Sequence, residues 1–319
     1  MKRIFLLVVL AAAIAVLLYG RDVIYRRGLL ETTVNVVIPR GAGSAGVASK
    51  LAEAGVVDSP LWFRIAARLF QTDKYLKAGE YQFSPRVSMY EVMEKLRRGE
   101  VFYRRITIPE GLYSAQIADA INEVPELSGK ISAEIAEGSL LPETYTYAYG
   151  DPKMQIITQA QAAMDKVLSE VWNGRDENLP LKSPEELLIL ASIIEKETGV
   201  PAERGQVASV FVNRLKKGMK LQTDPTVIYA LTQGKGELGR NLSRADLQID
   251  SPYNTYKYYG LPPAPICNPG RESIMAAAHP EVTEYLYFVA NGQGGHHFST
   301  SLAEHNRKVR EWVNFLRKK

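Results

Sequence analysis

The sequence predicts an α+β protein with an N-terminal transmembrane helix, a small α+β module, and a larger mixed α+β domain in which helices surround a small sheet. Three observations support this prediction. The chain opens with a long apolar run, β-branched alternating segments recur between amphipathic ones, and the last 140 residues mix helical patterns with turn-rich stretches. A chain of 319 residues that is 46% hydrophobic and 23% charged has the composition of a folded protein with two or three domains.

The N-terminal apolar run covers residues 4–19 (IFLLVVLAAAIAVLLY) and contains neither a charged residue nor proline. As a helix it would be about 24 Å long, somewhat less than a bilayer hydrocarbon core of about 30 Å. A cleaved signal peptide is the alternative, but the small residues at 11–13 lie inside the run rather than after it. We therefore favour an uncleaved signal anchor over residues 1–20, with Lys2 and Arg3 in the cytoplasm and the remainder on the far side.

Charge, cysteine and histidine content narrow the classes of function. The net charge of +4 suits an anionic surface such as phospholipid, cell-wall polymer or nucleic acid without choosing among them. The single cysteine, Cys267, excludes an intramolecular disulfide and a cysteine-rich metal site. His296, His297 and His305 match no HExxH or His-x-Asp spacing, so structural hydrogen bonding is favoured over metal binding. We predict no metal and no cofactor.

After a predicted tether over residues 21–32, residues 33–100 show the order strand, helix, helix and strand. The first strand is predicted at 33–40, where β-branched residues alternate, and the second at 77–85 between two turns. A capped helix follows at 88–99. This order resembles the LysM-type fold, which binds glycan chains. Such modules also occur as generic spacers or interaction domains, and the pattern alone does not decide between these roles.

We assign residues 101–180 to a second small α+β region and a connector. The pattern at 38–51, in which a strand ends at proline, glycine makes the turn and a short amphipathic helix begins, recurs at 108–121. The stretch LLPETYTY (140–147) contains tyrosines that could stack on sugar or pack internally, and we favour internal packing.

The C-terminal domain, residues 181–319, begins with a strong helix signal. Ser183 is the predicted N-cap, Pro184 the first helical residue, and Glu186 the partner of Ser183 in a capping box. The segment LLILASIIEKETG (187–199) is apolar almost to its end, so the helix is predicted to be buried and to stop near Gly199.

Two glutamates, Glu195 and Glu197, lie near the end of this helix and point in nearly opposite directions, because successive residues are about 100° apart. They cannot form an acid–base pair in one cleft. Glu197 shares the apolar face of Leu190, Ile193 and Ile194 near the negative end of the helix dipole, and both features raise the pKa of a carboxyl. A raised pKa suits proton donation to a leaving group. A solvated glutamate in the last turn is the alternative, and this helix alone does not decide.

A long series of C-terminal motifs carries a family resemblance. The following motifs occur in order: ASIIEKET (191–198), VASVFVNRL (207–215), GMKLQTDPTVIYAL (218–231), LSRADL (242–247), YNTY (253–256), GLPPAPICNPG (260–270), AAAHP (276–280), YLYFVANGQGGHHFS (285–299) and HN (305–306). Together they closely resemble the YceG-like family, the endolytic murein transglycosylases. The resemblance is dense over the last 140 residues, looser over the anchor and the LysM-like module, and weakest over 125–140 and 148–150.

The resemblance implies a bacterial inner-membrane enzyme, single-pass, with its catalytic part on the periplasmic or outer side. Such enzymes cut the β-1,4 bond between N-acetylmuramic acid and N-acetylglucosamine within glycan strands. Their essential glutamate corresponds to Glu197. It protonates the glycosidic oxygen and then takes the proton of the muramic acid C6 hydroxyl, which closes a 1,6-anhydro ring. Unlike the usual glycosidase pair, this chemistry needs neither water nor a second carboxylate.

Six further residues are predicted to bind substrate. Gln222 and Asp224, with Thr223 between them, form a polar turn that lines the cleft or caps the following helix, and Asp224 could stabilise charge. Tyr253, Asn254 and Tyr256 are suited to stack on a pyranose and hydrogen-bond an N-acetyl group, or else pack within their loop. Asn213, on a helix predicted at 202–217, could hydrogen-bond the acid.

We expect the partners to be peptidoglycan strands, the membrane and wall-synthesis enzymes, and no nucleic acid. The rival hypothesis is a non-enzymatic scaffold, tethered to the membrane, that binds peptidoglycan and organises wall synthesis. The two hypotheses share every feature of the sequence except a poorly hydrated Glu197.

Overall fold

The computed structural model describes residues 1–317, so the last two residues of the predicted 181–319 domain lie outside the described part. The chain divides into two compact units. The first comprises Met1–Arg105 with Thr146–Asp151, and the second comprises Ile106–Tyr145 with everything from Pro152 onward. The mixed α+β class predicted from the sequence is confirmed, with helices and small two-stranded sheets in the described residues.

The first unit is built on a short antiparallel sheet and three helices that pack on it, preceded by the N-terminal helix. Its elements are α1 (Lys2–Tyr25), β1 (Val34–Ile38), α2 (Ser44–Glu53), α3 (Pro60–Leu69), β2 (Gly79–Phe83) and α4 (Met89–Arg98). Val36 on β1 lies opposite Tyr81 on β2, and both side chains are buried in the core of the unit. The order strand, helix, helix and strand agrees with the sequence pattern, while the LysM-like character of the module stays a prediction.

The N-terminal helix α1 is continuous over 24 residues. Every residue up to Tyr19 is exposed, whereas Gly20, Val23 and Ile24 are buried against the rest of the unit. Within residues 1–317, α1 is the one helix long and apolar enough to cross a membrane, although a signal sequence would satisfy the same criteria. The helix also extends beyond the predicted anchor, so that residues 21–25 of the predicted tether are helical.

The second unit is mainly helical. Its elements are α5 (Ser114–Asn122), α6 (Lys153–Gly174), α7 (Pro184–Glu197), α8 (Arg204–Lys216), α9 (Asp224–Thr232), α10 (Arg271–Ala278), β5 (Tyr287–Ala290), β6 (His296–Ser299) and α11 (Leu302–Leu316). The strands β5 and β6 pair in an antiparallel hairpin. The chain passes between the units in β3 (Tyr103–Thr107) and β4 (Thr144–Ala148), which pair with each other.

Helix α7 is the central helix of the second unit and packs against α6, α8 and α10. Its N-terminus forms largely as predicted, because the Ser183 hydroxyl accepts the Glu186 N–H at 3.3 Å and Pro184 opens the helix. The predicted capping box is incomplete: the Glu186 carboxylate accepts the N–H of Lys182, at 2.7 Å, instead of that of Ser183. The helix ends at Glu197, which leaves this carboxyl at the boundary between the core and the loops that follow.

Candidate active site

A cavity of about 430 Å³ opens at the C-terminal end of α7. Its lining combines one carboxyl at a helix end with polar and aromatic side chains from α8, the loop before α9, the 251–270 loop, β5 and α11. The lining residues are Glu197, Phe211, Arg214, Leu221, Gln222, Asp224, Tyr256, Tyr287, Phe288, Leu302, His305 and Asn306. Four residues predicted from the sequence, Glu197, Gln222, Asp224 and Tyr256, therefore share one cavity.

Two loops are hydrogen-bonded to each other beside Glu197, and this pairing places the polar turn of residues 222–224. The Gln222 N–H donates to the Thr255 carbonyl at 3.2 Å, and the Thr223 N–H donates to the Thr255 hydroxyl at 3.1 Å. Gln222 has a φ of +49°, a left-handed conformation that turns the chain sharply into α9. Thr223 is then the N-cap residue of α9, and Asp224 its first residue.

Among residues 1–317, one side chain donates to the Glu197 carboxyl: the hydroxyl of Thr223 bonds to Oε1. Burial raises the pKa of Glu197 to about 7, and the nearby charge of Asp224 acts in the same direction. The hydrogen bond from Thr223 and the positive charge of Arg214 oppose this rise but do not cancel it. Near neutral pH a large fraction of Glu197 is therefore protonated, with Oε2 available to carry the proton.

Asp224 and Tyr256 form a second polar pair in the cavity. The Tyr256 hydroxyl donates to Oδ1 of Asp224 at 2.6 Å. Burial is the main cause that raises the pKa of Tyr256, and the adjacent Asp224 raises it further. The phenol therefore remains a hydrogen-bond donor. The pair presents one negative charge beside Glu197.

Arg214 is a buried cation that sequence reasoning missed. Its guanidinium donates to the carbonyls of Leu286 and Leu221, at 2.7 Å each, and lies 5.1 Å from the ring centroid of Tyr287. These contacts hold the positive charge at the wall of the cavity, where it stabilises an ionised Glu197. The NRL motif contains Arg214, but a single arginine on a helix gives no signal that it will bond both to a nearby carbonyl, Leu221, and to one 72 residues away, Leu286.

His305 is a second residue whose role the sequence did not reveal. Its imidazole stacks on Tyr287 with ring centroids 5.2 Å apart, and its Nδ1 is buried without a hydrogen-bond partner in the part of the chain that the structure describes. Burial and the charge of Arg214 lower the pKa of His305, which keeps the ring neutral. The neutral ring therefore contributes to the wall of the cavity, with its Nδ1 enclosed by protein.

Three residues predicted to bind substrate make internal contacts instead of lining this cavity. The amide of Asn254 is fully buried and donates to the carbonyls of Leu247 and Ile249. Tyr253 packs its ring 4.8 Å from that of Tyr229. The Asn213 amide donates to the carbonyls of residues 283 and 285 and lines a different cavity. Their binding roles stay predictions, and the donor that Glu197 does have is Thr223.

Glu195 lies in different surroundings from Glu197, as helix geometry predicts. Its side chain is only 6% exposed, and its Oε2 accepts the N–H of Gly270, the N-cap residue of α10, at 2.9 Å. Arg204 approaches Glu195 to 3.8 Å. Glu195 therefore holds the loop before α10 against the end of α7.

The chain matches the sequence model of the YceG-like family over residues 36–311. It is 34% identical to the endolytic murein transglycosylase of Bacillus subtilis strain 168, with 93% of this chain and 92% of the relative covered. It is 30% identical to the endolytic murein transglycosylase of Streptococcus pneumoniae strain D39 over 88% of this chain, which spans 58% of that longer relative. A YceG-like protein of known crystal structure from Listeria monocytogenes is 34% identical, with 87% of this chain and 99% of that chain covered and a TM-score of 0.52.

Proposed function

The chain belongs to the YceG-like family, and from this premise we propose that it is an endolytic murein transglycosylase whose catalytic acid and base is Glu197. It is a lyase that acts on peptidoglycan. The observation that carries the assignment of Glu197 is its position in a cavity with a pKa raised to about 7 by burial. A general acid that works near neutral pH requires such a pKa.

The proposed reaction uses Glu197 twice. Its proton goes to O4 of the leaving N-acetylglucosamine as the bond from that oxygen to C1 of N-acetylmuramic acid breaks. The carboxylate then takes the proton of the muramic acid C6 hydroxyl, and O6 bonds to C1 to close the 1,6-anhydro ring. The glutamate ends protonated, as it began, and no water is consumed.

One hydrogen bond and the charges near Glu197 support this double role. The Thr223 hydroxyl binds Oε1, which orients the carboxyl and leaves Oε2 as the atom that exchanges the proton. Arg214 and Asp224 act on the charge of Glu197 in opposite directions. Burial, which raises the pKa of Glu197, and the Thr223 hydrogen bond, which lowers it, are the larger influences, and together they bring the pKa to about 7, where the residue can first donate and then accept a proton.

We propose that Gln222, Asp224 and Tyr256 contact the sugar, because they line the cavity with Glu197. The cavity is open and polar, which suits a segment of a glycan strand. Tyr256 offers an aromatic face for a pyranose, while the Tyr287 ring is occupied by its contacts with Arg214 and His305.

The remaining parts of the proposal concern location. We propose that the apolar helix, predicted to anchor residues 1–20, spans the inner membrane once, with the enzyme on the periplasmic or outer side. The module at 33–100 would bind glycan in the LysM manner, the region at 101–180 would connect it to the catalytic domain at 181–319, and cleavage would act on nascent strands beside wall-synthesis enzymes.

The test is mass spectrometry of purified peptidoglycan after incubation with the full chain in detergent. Products with 1,6-anhydro-muramic ends are expected, and they should be absent with Glu197→Gln. Reducing ends would identify a hydrolase, and binding without cleavage would favour the scaffold hypothesis, which the names of the relatives do not support.

A further inference from the structure

The apolar N-terminal run ends directly against the first unit. The ring of Tyr19, the last residue of the run, lies 5.8 Å from that of Trp62 on α3. A Cβ at Gly20 would lie 2.8 Å from the Trp62 ring, so glycine is what allows this approach. Because Val23 and Ile24 are buried in the same core, no flexible segment separates the apolar run from α3.

Helix α3 carries two apolar faces, of which only one is used inside the protein. Phe63, Ala66 and Ala67 are buried in the core of the unit. Leu61, Ile65 and Leu69 follow at four-residue spacing and are 62%, 45% and 72% exposed. With about 100° per residue, they form an outward sector roughly 100° wide that runs up to Trp62. A ten-residue helix with a large apolar face in solvent requires a covering surface.

The polar residues beside this sector are arginines. Arg64 and Arg68 are exposed on its far edge, and neither takes part in an ion pair within residues 1–317. Helix α3 contains no acidic residue. An apolar stripe flanked by arginines is the pattern of helices that lie in the interface of a bilayer containing anionic lipid.

The position of Trp62 identifies the covering surface. The run of residues 4–19 is about 24 Å long as a helix, which is short of a hydrocarbon core of about 30 Å. Trp62 contacts the end of this run and, with residues 4–19 spanning the bilayer, would lie at the level where tryptophan and tyrosine concentrate in membrane proteins. Apolar surface at that level compensates for a short span.

We propose that α3 completes the membrane anchor. Leu61, Trp62 and Ile65 would embed in the bilayer interface at the C-terminal end of the apolar run, and Arg64 and Arg68 would bind lipid phosphates. This inference rests on the proposed anchoring of the N-terminal helix. With α3 in contact with lipid, the first unit would be held at a fixed distance from the membrane instead of moving on a flexible tether.

The experiment uses the full chain in proteoliposomes of phosphatidylcholine and phosphatidylglycerol. Cysteines introduced at Leu61 and Ile65 receive an environment-sensitive fluorophore, and the quenchers are lipids carrying a nitroxide near the headgroup, for labels in the interface, and in the middle of the acyl chain, for the label at position 10. Leu10→Cys reports on the anchor itself, and Ser49→Cys, on the exposed polar side of α2, is the matched surface control. The unsubstituted chain gives the background, because its one cysteine, Cys267, is buried.

We expect the labels at 61 and 65 to be quenched at least half as strongly as the label at 10, with the label at 49 unquenched. Quenching at 10 but not at 61 or 65 would overturn the inference while leaving the anchor intact. Labels at 61 and 65 that iodide in the buffer cannot reach and lipid nitroxides do not quench would show a protein on α3, and would also overturn it. An unquenched label at 10 would refute the anchoring itself, and with it this inference.

Discussion

The two units of this protein each contain a cavity lined by glutamate, and the glutamates differ in protonation. The cavity of the first unit, between β2 and α4, is about 530 Å³, larger than the cavity of about 430 Å³ at Glu197. In the first, Glu91 accepts the N–H and the hydroxyl of Ser88 at 2.8 Å, and Glu94 accepts two bonds from Arg97. These bonds lower the pKa of both carboxyls.

Glu197 differs because burial removes water from its carboxyl, and among the described residues only one neutral donor, the Thr223 hydroxyl, replaces that water. A buried carboxyl that lacks compensating donors or cations stays protonated, whereas one that accepts several bonds is ionised. The volume of a cavity is therefore a poor guide to its chemistry. What distinguishes Glu197 from Glu91 and Glu94 is the shortage of partners around its buried carboxyl.

The largest expected effect is on turnover, and it tests the difference between Glu197 and the glutamates of the first unit directly. Glu197→Gln should lower turnover of peptidoglycan by at least about 1,000-fold, because Gln keeps the shape but cannot exchange a proton. Product formation by mass spectrometry measures the loss. Glu94→Gln, in the other cavity, is the matched control and should leave turnover unchanged. Equal losses in both variants would remove the distinction between the cavities.

The second prediction concerns the free energy of unfolding, to which Glu197 and Glu91 should contribute with opposite pH dependence. The pKa of Glu197 is raised in the folded state, so its protonated form favours folding. The free energy of unfolding should therefore fall as the pH rises from about 5 through 7 and then level off. A shift from 4.5 to about 7 corresponds to about 3 kcal/mol at roughly 1.4 kcal/mol for each pH unit.

Urea unfolding at pH 5 and pH 8 measures this effect as the difference between the native chain and Glu197→Gln, which lacks the titrating group. Glu91 provides the opposite case, since its lowered pKa means that its contribution is lost as the pH falls. The native chain should therefore lose stability relative to Glu91→Gln in acid. A difference between the native chain and Glu197→Gln that does not vary with pH would show an ordinary, hydrated carboxyl at position 197.

A smaller effect is expected when the one donor to Glu197 is removed. Thr223→Val has nearly the same shape but loses the hydroxyl, so the pKa of Glu197 should rise further and the alkaline limb of the rate–pH profile should move to higher pH. Loss of orientation should lower the maximal rate by about 10-fold, as for one hydrogen bond to a charged group. Thr223→Ser keeps the donor and should restore both quantities. A rate loss without a shift of the alkaline limb would mean that Thr223 contributes packing only.

The smallest effect on turnover is expected at Glu195, the second glutamate near the C-terminal end of α7. Glu195 accepts the Gly270 N–H, and the Gln oxygen can accept the same bond. Turnover by Glu195→Gln should therefore stay within about threefold of the native rate, since the bond to Gly270 is kept in neutral form and the lost ion pair with Arg204, at 3.8 Å, lies away from the cavity. A loss as large as that of Glu197→Gln would identify Glu195 as the proton donor and reverse the roles assigned to the two carboxyls.

Part of the site was predictable from local pattern. The period of α7 separates Glu195 from Glu197, and their partners, Gly270 and Thr223, do lie in different surroundings. The turn at 222–224 was predicted to line the cleft or to cap a helix; Gln222 and Asp224 line the cavity with Glu197, and Thr223 is the N-cap residue of α9 without a side-chain cap hydrogen bond. These features depend on residues close together in sequence, where helix geometry and capping rules apply.

Other features depend on contacts between distant segments. Arg214 and His305 meet at Tyr287, across segments that a motif search treats separately. Asn254 shows the converse limit, because a loop asparagine suited to bind sugar is fully buried and bonds to its own loop. Local sequence does not specify whether a polar side chain turns inward or outward, since the packing of the whole unit decides it.

The sequence by itself determined the α+β class, the apolar N-terminal helix, the bounds of α7 and the family, because each depends on periodicity, composition or ordered motifs along the chain. Only the tertiary structure decided which carboxyl is short of partners and which apolar face of α3 is left uncovered. Both are set by what surrounds a side chain in space, and desolvation, which fixes the charge of Glu197, is a property of that surrounding volume.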